Sequence, residues 1–268
     1  MRLRTSEPSR PGIRRRRCGR GFRYLAPDGS ALTDRGELER IRALVVPPAW
    51  EDVWICPWPN GHLQAVGTDA AGRRQYLYHP EFRRRQEESK HAHVLEVAAH
   101  LPKVRQYAQD ALELPTLCRE RVLGCAVRLL DLGFFRIGSD SYAKQNGSYG
   151  LTTLEREHVT CRRGLVEFDF PAKHGRHRMQ TLTDPAACRT LRALLRRDGG
   201  GARLLAYRDG GGWHDLHGRE VNEQLHELTG LDITAKDFRT WHATVLAAVG
   251  LAVSAPVAAR SSASRRRG

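Results

Sequence analysis

The chain has 268 residues, 40% of them apolar and 7% aromatic, and carries a formal net charge of +14. Such a length supplies core for one large domain or two ordinary ones, and the excess of base makes nucleic acid the leading partner class, ahead of an anionic membrane surface. No apolar run approaches the ~18 residues that span a bilayer and no hydrophobic stretch follows the N-terminal arginines, which argues against membrane insertion and secretion.

Arg2, Arg4, Arg10, Arg14, Arg15, Arg16, Arg17 and Arg20 crowd the first 20 residues against one acid, Glu7. They predict a disordered phosphate-binding arm over 1–20, with a merely solvated leader as the alternative. From 21 to 85 short apolar stretches alternate with turn residues, the pattern of a small β-rich domain. Within it 54–67 reads as a hairpin bent at Pro59-Asn60-Gly61. The charged run FRRRQEESKH lacks apolar periodicity and marks a domain boundary, so that the second domain covers 86–255 and a basic tail 256–268.

In the second domain Val94, Val97, Leu101, Val104 and Ala108 recur at helical spacing, with a kink or break expected at Pro102. A helix over 116–132 follows, with Gly133 as its left-handed C′ residue. Strands return over 157–183, clearest where Val166, Phe168 and Phe170 alternate with Glu167 and Asp169, and 171–176 forms their turn. Asp184-Pro185 supplies the N-cap and first residue of a helix to about Arg197; a Gly-rich loop and a helix near 219–228 come next. Thr234 and Asp237 approximate a capping box opening a helix with Phe238, Trp241, Val245 and Val249 on its apolar face. The cysteines, Cys18, Cys56, Cys118, Cys125, Cys161 and Cys188, show no CxxC pair and read as reduced structural thiols.

Three places carry cations where chemistry could use them. Arg136 lies between Phe134-Phe135 and Gly138, where a guanidinium fork could be held to match two phosphate oxygens. Lys173 sits at a hairpin tip, from which it could enter a DNA groove and serve as a general acid, although alone it reads as an exposed turn lysine. Lys236 and Arg239 are three apart and could address one anion together; by themselves they read as a solvated basic face. No carboxylate cluster has metal-ligand spacing, which argues against a metal nuclease.

These strings resemble the type IB DNA topoisomerases in order and spacing. RIGSDSYAKQNGSYGLTTL is similar to the family's Arg-x-Gly signature and the run after it, FDFPAKHGRHR to its lysine-bearing hairpin, and KDFRTWHAT to its Lys-x-x-Arg helix. GFRYLAPDG, IRALVVPPAWEDVWICPWPNGHLQAVG and GRRQYLYHPEFR resemble the smaller β domain of the bacterial form, so the likeness runs from about residue 19 to 255.

The resemblance implies an α+β fold: a small β-rich N-terminal domain and a mainly helical catalytic domain whose three-stranded sheet carries Lys173, closing as a monomeric clamp around duplex DNA in the cytoplasm, at the nucleoid. It implies that Arg136 and Arg239 grip the scissile phosphate and stabilise its transition state, and that Lys173 protonates the departing 5′ oxygen. Tyr142, Asn146, Thr152 and Lys236 become DNA-binding residues. In the family a tyrosine attacks phosphorus to leave a 3′-phosphotyrosine, without ATP, metal or other cofactor. That tyrosine and a histidine shortly before it lie beyond the Lys-x-x-Arg helix, whereas here no tyrosine follows Tyr207 and His242 comes too soon after Arg239. The expectation is therefore a topoisomerase truncated before its nucleophile, with a catalytically dead DNA clamp as the alternative. A tyrosine recombinase relative is third, disfavoured by Lys236 where recombinases carry histidine and by the β domain.

Overall fold

The computed structural model describes residues 1–254, so the expected basic tail at 256–268 lies outside the described residues. The chain divides into two compact units, Met1–Ala92 and His93–Gly268.

The first unit is a five-stranded antiparallel sheet of β1 (Ile13–Cys18), β2 (Gly21–Leu25), β3 (Glu51–Ile55), β4 (Leu63–Thr68) and β5 (Arg74–Tyr78), in the order β2-β1-β3-β4-β5. The expected hairpin over 54–67 is the β3–β4 pair, whose bend is laced by the Gln64 amide donating to the carbonyls of Trp58, Pro59 and Gly61. The expected arm at 1–20 is instead built into the sheet. β1 pairs Arg14 with Leu25 and Ile13 with Ile55, and the buried Ser6 hydroxyl donates to the Leu63 carbonyl at 2.9 Å. Arg15 shows why the charge does not keep the segment in water: its guanidinium donates to the carbonyls of Val46, Pro47 and Trp50 and lies 4.2 Å over Phe22. A helix the sequence did not signal, α1 (Arg35–Ala43), starts where Asp34 accepts from the Glu37 amide at 2.7 Å. It buries Ile41 against Ile13, Val53, Ile55 and Ala65.

The charged run read as a boundary is helical, and the two units divide directly after it, between Ala92 and His93. The run forms the first turns of α2 (Pro80–Leu112), with Glu81 paired to Arg84 and Arg85 and Arg84 paired to Glu88 at i,i+3 and i,i+4 spacing. α2 also continues through Pro102 rather than ending there.

In the second unit α3 (Arg119–Gly133) is the central element, burying Val122, Leu123, Ala126, Leu129 and Leu130. Around it stand α4 (Asp140–Asn146), the antiparallel sheet β6 (Val159–Arg162), β7 (Leu165–Pro171) and β8 (His177–Thr183), α5 (Pro185–Arg196), the hairpin β9 (Ala206–Asp209) and β10 (Gly212–Asp215), α6 (Gly218–Thr229) and α7 (Ala235–Ser254). The alternation of β7 buries Val166, Phe168 and Phe170, each worth about 1.5–3 kcal/mol of transfer free energy. Asp184 caps α5 by accepting from the Ala187 amide at 2.8 Å.

Three expectations change here. The left-handed residue after α3 is Phe134, with φ 53°, and not Gly133. Packing is what demands glycine at 133, where a Cβ would lie 2.2 Å from the Phe135 ring. The hairpin β9–β10 occupies a stretch read as loop. On α7 Phe238 is fully buried, but Val245 and Val249 are exposed.

Candidate active site

The turn that carries Arg136 is a backbone clasp. The Arg136 carbonyl accepts from the Leu151 amide at 2.7 Å, and the Ile137 carbonyl accepts from the amide and hydroxyl of Thr152 at 2.8 and 2.9 Å. The two segments approach so closely that a Cβ on Gly150 would sit 2.6 Å from the nitrogen and Cα of Gly138, which itself has φ +99°. The glycines of this motif are therefore steric requirements of the turn. Below it Phe135 is fully buried and packs edge-on against Phe168 at 4.8 Å, leaving Arg136 exposed above.

Lys173 opens a single 3-10 turn between β7 and β8, closed by the Ala172 amide donating to the Arg176 carbonyl at 2.7 Å and by Gly175 at φ +66°. Its base is braced from the side, since the Tyr149 amide donates to the Pro171 carbonyl at 2.8 Å and the Ser148 hydroxyl to the Ala172 carbonyl at 3.3 Å. Arg239 stands in the first turns of α7. There the Asp237 carboxylate accepts from the amide and hydroxyl of Thr234, Asn222 accepts from the Ala235 amide at 3.0 Å, and buried Phe238 fixes the helix in the core.

These elements converge on one cleft of about 300 Å³ lined by Arg136, Tyr142, Lys173, Lys236 and Arg239, together with Ser139, Ser148 and Tyr149. Five of the seven residues singled out in the sequence thus share a surface. Asn146 is exposed at the end of α4, with its amide turned toward the Tyr142 carbonyl at 3.4 Å, and is not part of the lining. Thr152 does not reach the cleft either: it is 2% exposed and its hydroxyl is spent on the Ile137 carbonyl, so it supports the floor and has no donor to offer DNA.

The cleft is electrostatically one-sided. Burial, and then the charges of Arg136 and Arg178, push the Arg239 pKa down, and burial followed by Arg136 does the same to Arg178. Among the described residues none of Arg136, Lys173, Lys236 and Arg239 forms an ion pair with a carboxylate, although many arginines elsewhere do. An anion entering the cleft would relieve that repulsion and meet guanidinium and ammonium donors in its lining. Arg178, whose place beside Arg136 and Arg239 was not anticipated, lies five residues past Lys173 in the string KHGRHR, and only the folded β8 reveals it. Tyr207 is elsewhere: its hydroxyl donates to Glu220 at 3.4 Å beside a separate cavity of about 520 Å³.

Known protein families match both parts of this sequence. Residues 21–69 match the family described as bacterial DNA topoisomerase IB, N-terminal domain, and residues 79–265 match that described as eukaryotic DNA topoisomerase I, catalytic core. The chain is also 30% identical over 239 residues to DNA topoisomerase 1B of Acanthamoeba polyphaga mimivirus, a match covering 87% of this chain and 70% of that relative. Among the described residues no helix is long and apolar enough to cross a membrane.

Proposed function

Because the chain belongs to the type IB DNA topoisomerase family, isomerases that act on DNA, we propose that the cleft of Arg136, Lys173 and Arg239 receives the scissile phosphodiester of a duplex. Arg136 and Arg239 bind its non-bridging oxygens and stabilise the extra negative charge of the pentavalent transition state. Lys173, exposed on the turn between β7 and β8, gives its proton to the departing 5′ oxygen as the phosphorus–oxygen bond breaks. In the family's reaction the bond that forms in exchange is to a tyrosine oxygen, which leaves a 3′-phosphotyrosine and conserves the phosphodiester energy for resealing; none of the tyrosines of these 268 residues is assigned that role. Lys236 and Tyr142 hold the backbone on either side, and Asn146, exposed at the end of α4, touches the flanking strand.

The observation that carries this reading is the convergence of three cations from three separate elements, without carboxylate partners among the described residues, on one cleft. All of them come from a single chain, which supports a monomer working on duplex DNA, and the substrate points to the nucleoid-bearing cytoplasm. No tyrosine follows Tyr207 within these 268 residues, which favours a second reading for this polypeptide: a duplex-binding clamp that lacks the covalent step.

Duplex binding measured against salt tests the phosphate site. Log affinity should fall linearly with log salt, with a slope near −0.9 per phosphate neutralised on B-DNA. Arg136→Ala and Arg239→Ala should each weaken binding, and the double variant should lose less than the sum because the two share one ligand. Strict additivity would place the two arginines at separate sites.

A further inference from the structure

Arg178 is half-buried on β8 and none of its nitrogens faces an acid among the described residues. Nη2 donates to the Gly133 carbonyl at 2.8 Å and to Gln180 Oε1 at 2.6 Å, Nη1 donates to the Phe134 carbonyl at 3.3 Å, and Nε donates to Gln180 Oε1 at 3.1 Å. Its guanidinium carbon lies 5.4 Å from the Phe135 ring centre. The two carbonyls it holds are among the last of α3, which have no amide of their own helix to accept from, and a cation is the charge that a helix C-terminus favours. They also flank the left-handed Phe134, two residues before Arg136, a conformation that a bulky residue keeps only when its surroundings impose it.

We propose that Arg178 is a positioning residue for Arg136, one that acts on the carbonyls of the Phe134 turn and not on DNA. The idea rests on the phosphate reading of the cleft given above. Arg178 stands on the strand that leaves the Lys173 loop, so its bonds tie that loop to the Arg136 turn and hold two of the three phosphate-binding cations at a fixed separation. A planar fork is required, because three nitrogens must meet acceptors in different directions at once; a lysine at 178 would keep the charge and lose that geometry.

The test measures duplex affinity for the wild-type chain, Arg178→Ala, Arg178→Lys, Arg136→Ala and the Arg178→Ala/Arg136→Ala double variant, each with a thermal melt. Arg178→Ala should lose about tenfold or more in affinity, the weight of a charge-assisted contact made through Arg136. Arg178→Lys should fail to restore it, and the Arg178 effect should vanish in the Arg136→Ala background. Rescue by lysine, or an undiminished loss in that background, would mean that Arg178 meets phosphate itself and would overturn the proposal. Should Arg178→Ala melt out of the measurable range, Gln180→Leu removes the acceptor that orients Arg178 and must reproduce the same dependence on Arg136. If Arg136→Ala alone leaves binding intact, the phosphate reading fails; if it weakens binding while the Arg178 effect persists beside it, only the positioning inference fails.

Discussion

A methyl group on Gly150 would meet backbone on every side: the Gly138 nitrogen and Cα at 2.6 Å and the Arg136 carbonyl oxygen at 2.7 Å. None of these can swing away as a side-chain end would, so Gly150→Ala must part the clasp that seats Arg136. We expect a loss of about 1–3 kcal/mol in urea unfolding, together with weakened duplex binding; an unchanged midpoint with intact binding would show that the clasp yields freely. At this scale Arg136, Lys173, Lys236 and Arg239, which their local patterns alone leave as ordinary exposed cations, were singled out by the resemblance of three separated motifs, and the fold brings the four to one cleft. Thr152 was misread because a threonine looks the same in sequence whether its hydroxyl faces a ligand or, as here, a carbonyl beneath the site. Arg178 could not be found, since the carbonyls that define its role lie 44 and 45 residues away along the chain.

Elements were legible where their period was unmixed. β7 alternates strictly and Asp184-Pro185 starts α5, and both stand where the pattern put them. The charge of the N-terminal segment misled, because arginine density says nothing of pairing: β1 borrows carbonyls from the β3 approach. The run at 82–91 is helical and held by its own ion pairs, yet the two units do divide directly after it, between Ala92 and His93. The contact between the α3 turn and α7 gives an element-scale prediction. His242 meets Phe134 edge-on at 4.5 Å, and its pKa is pushed below the ordinary 6.5, first by burial and also by Arg105, with Asp131 pulling the other way. The unfolded chain then takes up the proton first, so the stability this ring contributes is fully present above pH 6.5 and is lost as pH falls through the lower folded value. The melting temperature should drop more between pH 7.5 and 5.5 (about one unit either side of an unperturbed histidine) in the wild type than in His242→Gln. Equal slopes would remove His242 from the account.

Taken whole, the molecule joins a β-rich unit at Met1–Ala92 to a mainly helical unit that holds a cluster of cations, on a chain with a net charge of +14. The fold class and the family were legible because three motifs keep their order and spacing over a long stretch, whereas the true extent of each unit depended on contacts that no local pattern encodes. On the reading proposed above the cleft would provide charge stabilisation and a proton for phosphodiester transfer, and Tyr207, bonded to Glu220 by a separate cavity, does not line it. The most direct measurement incubates the 268-residue polypeptide with supercoiled plasmid and follows both topology and denaturant-resistant protein–DNA adducts. The account predicts that the polypeptide binds the plasmid, leaves its supercoils in place and yields no adduct. Relaxation of the plasmid, with a phosphotyrosyl adduct mapped to any of these residues, would contradict it.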